Sequence, residues 1–279
     1  MGFYYFFLRR GFNDVVSGSA QPQITRQGLE KVTVPLPPLP EQKRIAAILD
    51  KADQLRQKRQ QAIGLADEFL RSVFLDMFGD PVTNPKRWEV KPIKEFAKVT
   101  TGNTPSRKVP EYYGSDVEWI KSDNINTPSH FLTTATEFLS HRGGDVGRIA
   151  KTGSILITCI AGSPACVGNA AIANRDVAFN QQINALTPMP NLACTEFIYG
   201  LALFAKKKIQ EASTNAMKGM VSKGKLEVVR FILPPLDLQM KFADSFNKTH
   251  NLKLKYSGLD QSNNELFNSL SQKAFAGEL

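Results

Sequence analysis

The chain is poor in the residues that carry most nucleophilic, redox and metal chemistry: among 279 residues there are three cysteines and three histidines. Cys159, Cys166 and Cys194 fall in no paired-ligand spacing, which argues against a disulfide framework and a zinc site and suits a reducing cytoplasm. His130, His141 and His250 are scattered, with no nucleophile or metal-ligand pattern around them. No apolar run approaches the roughly 18 residues of a membrane span. In the opening MGFYYFFLRR the charges follow a short apolar run instead of preceding it, the reverse of a secretory signal, so it reads as a structural segment. AGSPACVGNAA, residues 161–171, carries glycine but matches neither a phosphate-binding loop nor a dinucleotide fingerprint. Acidic residues are in deficit, 26 against 35 Lys and Arg, and a formal charge of +9 suggests a polyanionic partner. The length holds one large or two modest domains, and a hydrophobic content of 42% suffices for a core.

What the chain does have is a gapless internal repeat: residues 29–78 recur at 226–275, every position shifted by 197. LEKVTVPLPPLPEQKRIA stands against LEVVRFILPPLDLQMKFA, with Gln42 on Gln239, Lys51 on Lys248, Leu55 on Leu252 and Phe78 on Phe275. A repeat has to be settled first, because missing it misplaces the whole fold. In each copy an apolar run with β-branched residues (Val32 and Val34; Val228, Val229 and Ile232) predicts a strand that a double proline ends. Beyond the prolines a long stretch rich in Lys, Gln, Leu and Ala predicts a helix, which over residues 40–78 would be roughly 55 Å long. In the first copy Ile45, Ile48, Ala52, Leu55, Ala62, Ala66, Phe69 and Val73 alternate at spacings of three and four, a heptad seam broken at Arg59. The second copy places Phe242, Thr249, Leu252, Tyr256, Leu259, Leu266 and Leu270 on its seam. A helix with one narrow apolar stripe needs a partner, so the two are expected side by side as an antiparallel coiled coil. The alternative is two separate surface helices packed on one core.

Between the repeats, from residue 81 to 236, the pattern changes to short strands (117–120, 154–160, 170–173 and 183–186) and helices over 92–99 and 195–212, an α+β domain. Positive charge collects late in this segment: Lys206, Lys207, Lys208, Lys218, Lys223, Lys225 and Arg230 face only Glu211 and Glu227. The helix over 40–78 is nearly balanced, with seven bases and six acids, and reads as a scaffold. Two polar loops carry the candidate DNA contacts. TTGNTPSRK offers Thr104, Ser106, Arg107 and Lys108, types that reach phosphates, and KSDNIN offers Lys121, Asp123 and Asn124, types that read base edges. Lys218 and Lys223 join them just before the second repeat. The plain alternative for both loops is an ordinary turn with side-chain caps. FNQQINAL is expected to bury Gln181 or Gln182 in a hydrogen-bond network.

Taken together, these residues resemble the specificity subunit of type I restriction-modification enzymes. The likeness is carried by WEVKPIKEFAKVTTGNTPS (88–106), YYGSDVEWIKSDNI (112–125), GSILIT (153–158), FNQQI (179–183) and VPLPPLPEQKRIAAIL (34–49). That family alternates a target-recognition domain with a conserved helical region, twice over. Here only a tail of the first recognition domain, residues 3–24, which parallels 197–221, precedes the first helix, so the chain looks like a half-length subunit.

The resemblance implies an α+β chain of four parts. Residues 1–39 would be the C-terminal remnant of a first recognition domain and 40–79 the first long helix, with 80–236 the recognition domain and 237–279 the second long helix. It implies no catalysis and no cofactor of its own, S-adenosylmethionine being held by a partner, since NPPF-like and DPPY-like signatures are missing from this chain. The implied partners are double-stranded DNA, the methyltransferase (modification) subunit docked on the helices and, through the complex, the restriction subunit, in the cytoplasm and without a membrane. A half subunit would restore two half-sites as a homodimer or by pairing with another half. The competing expectation is a truncated scaffold that docks on the methyltransferase without reading DNA.

Overall fold

The computed structural model describes residues 4, 6–7, 10–18, 21–34, 36–213 and 219–276, without the side chains of 256–268, 271 and 274–276. The first elements are β1 (Val16–Ser17), β2 (Gln23–Ile24), α1 (Arg26–Glu30), α2 (Leu39–Phe78), β3 (Val90–Pro92), β4 (Ala97–Thr101), β5 (Tyr113–Gly114), β6 (Val117–Ile120) and β7 (Phe138–Leu139). Then follow α3 (His141–Val146), β8 (Ile149–Ala150), β9 (Ile155–Thr158), β10 (Ala170–Ile172), β11 (Val177–Phe179), β12 (Ile183–Pro188), α4 (Thr195–Phe204), α5 (Lys206–Glu211), α6 (Lys223–Glu227), β13 (Arg230–Ile232) and α7 (Leu236–Ala276). Contacts divide the chain into Phe69–Lys248 and a second unit of Met1–Glu68 with Thr249–Leu279, so both long helices contribute to each.

Within Phe69–Lys248 a four-stranded sheet runs in the order β10-β9-β12-β4 and a five-stranded one in the order β5-β7-β6-β11-β8. The first is antiparallel throughout, whereas in the second β6 and β11 run parallel with Trp119 opposite Ala178. Strand β9 accounts for the apolar run in GSILIT. Ile155 and Ile157 enter one core with Phe96, Phe197 and Phe242, and Leu156 enters another with Ile120 and Phe179. A strand buried on both faces needs apolar side chains at every position. The second core fills the space between the sheets, and the five-stranded sheet turns Trp119, Leu139 and Ala178 to its other face.

The strands expected at 117–120, 154–160, 170–173 and 183–186 are β6, β9, β10 and β12. The helix expected over 92–99 is instead a single 3-10 turn, Ile93–Glu95, followed by β4. Ala97 and Val99 are buried on either side of exposed Lys98, the period of a strand, and β4 pairs with β12 from Ala97 to Thr101. The helix expected over 195–212 breaks at Ala205 into α4 and α5.

The repeat holds in three dimensions and begins earlier than the sequence match. Helices α1 and α6 are related by the same shift, each capped by a hydroxyl: Thr25 accepts from the Gly28 N–H at 3.1 Å and Ser222 from the Lys225 N–H at 3.4 Å. Past the prolines Gln42 donates to the Pro37 carbonyl at 2.7 Å, as Gln239 does to that of Pro234 at 2.8 Å. The strand expected at Val32–Val34 does not form, whereas its counterpart β13 pairs with β3. No strand equivalent to β3 precedes the first copy among the described residues.

The long helices α2 and α7 pair in antiparallel order. Phe74 meets Phe242 edge to face at 5.3 Å, and further along Asp67 accepts from Lys253 at 2.8 Å, so the partner's number rises as that of α2 falls. The buried stripe keeps Ile45, Phe242 and Thr249 of the expected seam and departs from it elsewhere. Leu55, Phe69 and Leu252 are 49%, 56% and 50% exposed, while Leu49, Leu70, Phe74 and Phe246 are buried. The reason is local packing: Phe74 and Phe78 interlock with Phe197 and Phe242, which fixes the rotation of α2 about its axis. Mid-helix, the stripe is polar, with Asp53 buried and accepting from Arg56 at 2.6 Å and Gln57 at 2.7 Å. Tyr256, Leu259 and Leu266 lie outside the described side chains. Gly200 is required where α4 crosses α2, because a Cβ there would come within 2.8 Å of the Phe74 ring.

Candidate nucleic-acid interface

Seven of the sequence-predicted residues lie in the two polar loops, which meet over the outer face of the five-stranded sheet. Loop 102–108 leaves β4 at Gly102, where a Cβ would stand 2.1 Å from the Asn180 carbonyl oxygen, so only glycine lets the loop lie down on the FNQQ segment. Asn103 then fixes its course, donating to the Val146 carbonyl at 2.9 Å and accepting from the Arg148 N–H at 2.8 Å. Thr104 is exposed and its hydroxyl donates to the Gln181 side chain. Ser106 accepts from the Lys108 N–H at 3.3 Å, and both side chains are exposed.

Arg107 is the best anchored of them. Its guanidinium lies 4.2 Å from the centre of the Tyr113 ring and 5.3 Å from that of Trp119, and it donates to Glu137 at 2.6 Å. Lys121, which follows directly on β6, reaches the other oxygen of the same carboxylate and stands 5.2 Å from the Trp119 ring. Two cations therefore share one anion above an aromatic floor, each held by charge and by the negative face of a ring. The hydrogen bonds from Lys121 and then Arg107 hold the Glu137 carboxyl below the ordinary carboxylate range, so it stays ionised at neutral pH. The trio keeps one net positive charge.

The other predicted residues are placed differently. Asp123 is exposed in the 3-10 turn Ser122–Asn124. Asn124 is buried and its amide is spent inside the protein. It accepts from the Lys121 N–H at 3.0 Å and donates to the Thr134 carbonyl at 2.9 Å and the Thr133 hydroxyl at 3.3 Å. An amide so engaged has no edge left for a base, which corrects the expectation that it reads one. Lys223 opens α6, 3.6 Å from Glu227, on a helix whose Leu226 is buried in the core beneath the four-stranded sheet, so it does not join the loops around Trp119. Lys218 lies outside the described residues. The amides buried in FNQQINAL are Asn180 and Asn184, whereas Gln181 is exposed beside Thr104 and Gln182 is half-buried.

The sequence profile described as "Type I restriction modification DNA specificity domain" matches residues 1–64 and 85–266. The chain belongs to that family. It is 32% identical over 117 residues to the type I restriction enzyme HindI specificity subunit of Haemophilus influenzae, a stretch covering 41% of this chain and 24% of that protein. It is 32% identical over 130 residues to the MjaIX specificity subunit of Methanocaldococcus jannaschii, covering 46% and 28%. The matched stretch thus spans about a quarter of the length of these curated relatives. The fold is similar to that of the HsdS subunit from Thermoanaerobacter tengcongensis, with a TM-score of 0.51 and 20% identity over 96% of this chain and 67% of that one. The S subunit from M. genitalium is also similar, with a TM-score of 0.65 and 16% identity over 98% and 72%.

In this specificity-domain chain, sequence reasoning missed Glu137, Trp119, Tyr113 and Gln181 as parts of the cluster. A signal was present for the rings, since YYGSDVEWIK interleaves aromatics with a base, a pattern suited to nucleic acid. None was present for Glu137, an isolated acid 16 residues from Lys121 and 30 from Arg107. Among the described residues no helix is long and apolar enough to cross a membrane, and no group of three His, Cys, Asp or Glu side chains is placed to hold a metal.

Proposed function

We propose that this chain is a non-catalytic DNA-recognition component of a type I restriction-modification complex, reading one DNA half-site with the loops that meet over Trp119. The observation that carries the reading is the gathering of Arg107 and Lys121 over an aromatic floor, with Thr104 on the same loop as Arg107, in a chain of this family. A guanidinium with one edge anchored and its face stacked offers its remaining N–H groups in a fixed direction, which suits the paired acceptors of guanine. Exposed Ser106 and Lys108 supply backbone contacts, and Asp123 stands at the end of the second loop. Lys218 and Lys223 contribute general charge.

Methyltransferase docking belongs to the long helices, where Leu55, Leu65, Phe69, Leu252 and Leu254 are exposed, apolar side chains that a partner subunit would cover. S-adenosylmethionine would sit on that subunit, and the restriction subunit would join through it, in the cytoplasm. A second half-site would be read by a second copy or by a complementary half. The test is selection from a randomised duplex pool by the full chain, alone and with its methyltransferase partner. We expect a defined half-site motif and an affinity that falls steeply as salt rises, from counterion release. Enrichment of no motif, with the partner still captured, would favour the scaffold reading instead.

A further inference from the structure

We infer that Glu137 is a specificity-determining positioning residue that restrains Arg107 and Lys121 so that they serve base reading rather than indiscriminate phosphate binding; the inference rests on the DNA-reading function proposed above. Glu137 stands immediately before β7, its backbone carbonyl accepting from the Trp119 N–H at 3.0 Å, so its carboxylate is fixed to the sheet that carries the aromatic floor. Its two oxygens take one cation each, Arg107 from the first loop and Lys121 from the second.

Two consequences follow from this geometry. The carboxylate occupies the place a phosphate would take against either cation, so a backbone approaching at random meets a satisfied pair and a negative charge, which weakens non-specific binding. It also leaves the cations with defined outward N–H directions, so ordering them costs nothing when the matching sequence arrives. A single acid thereby lowers the affinity for the wrong duplex while preserving that for the right one. The arrangement asks little of stability, since Arg107 and Glu137 are 57% and 35% exposed, and surface ion pairs of this kind contribute little to folding.

The experiment compares wild type with Glu137→Gln in the full chain, titrating across a salt series against a duplex enriched by wild type from the random pool and against its scrambled counterpart. Freeing two cations should tighten scrambled binding at low salt, steepen the slope of log affinity against log salt by about one, and lower the preference for the enriched duplex by roughly tenfold, the discrimination of one oriented contact. Glu137→Asp keeps the charge and shortens the reach, so it should retain the wild-type salt slope with a reduced preference, and it serves if Glu137→Gln does not fold. Wild-type slope and preference in both variants would overturn the role of Glu137 while leaving the DNA reading intact. A wild-type chain that enriches no sequence would overturn the DNA reading and this inference together.

Discussion

Asn124 is 4% exposed, and its side chain accepts one hydrogen bond within the turn after β6 and donates two that tie that turn to Thr133 and Thr134. Replacing it with alanine removes these partners from the Lys121 N–H and the Thr134 carbonyl at a half-buried site, a loss of about 0.5–1.5 kcal/mol. We expect Asn124→Ala to lower the unfolding free energy obtained from urea titration by that amount and to loosen Lys121, without exchanging one preferred base for another. A full-strength switch of base preference at unchanged stability would show that the amide faces DNA after all. Thr104, Arg107 and Lys121 were singled out from sequence by residue type, and the structure places them in neighbouring loops. Asn124 has the same chemistry as a base reader and differs only in burial, which the local pattern SDNIN does not reveal. Glu137 was hidden for the opposite reason, since an acid is the last residue type sought on a surface proposed to face DNA. Its partners come from two other segments, which only the pairing of β6 with β7 brings alongside.

The two copies of the repeat differ in what surrounds them, and the glutamine that follows the double proline measures the difference. Gln239 is fully buried: besides the Pro234 carbonyl it donates to that of Leu192 at 3.0 Å and accepts from the Cys194 N–H at 3.2 Å. Gln42 makes the matching bond to Pro37 from a half-buried position. Gln239→Ala should therefore cost about 2–4 kcal/mol, with the Cys194 and Leu192 groups left unpaired, and Gln42→Ala about 1 kcal/mol or less. Equal losses in chemical denaturation would mean that the copies are equivalently buried. At this scale the sequence was most informative about the helices. Their lengths follow from the repeat, their pairing from two stripes needing each other, and their antiparallel order from the globular segment between them. The rotation of the stripe did not follow, because the aromatic cluster of Phe74, Phe78, Phe197 and Phe242 sets it, and that cluster draws on α4 as well as on both long helices. The short β4 was misread as helix because Pro92 and the acid of the following turn imitate a helix start.

For the whole molecule, membership of the specificity-domain family rests on a match to most of the chain, while the curated relatives extend well beyond the matched stretch. The expectation of an α+β domain with paired long helices was accessible from the 197-residue shift and the apolar runs alone. The layering of two sheets around a shared core was not, because β6 and β11 pair across more than fifty residues of intervening chain. That layering decides the candidate site: it turns Trp119 outward while Ile120 goes inward, and it gives the two polar loops a common floor. Under the proposed function, sequence recognition would lie on one face of one sheet. Hydrogen–deuterium exchange of the full chain with and without duplex tests this most directly. We predict that an enriched duplex protects peptides spanning 102–108, 119–124 and 137–139, whereas a scrambled duplex at high salt leaves them unchanged. Protection confined to other segments, or equal protection by both duplexes, would contradict it.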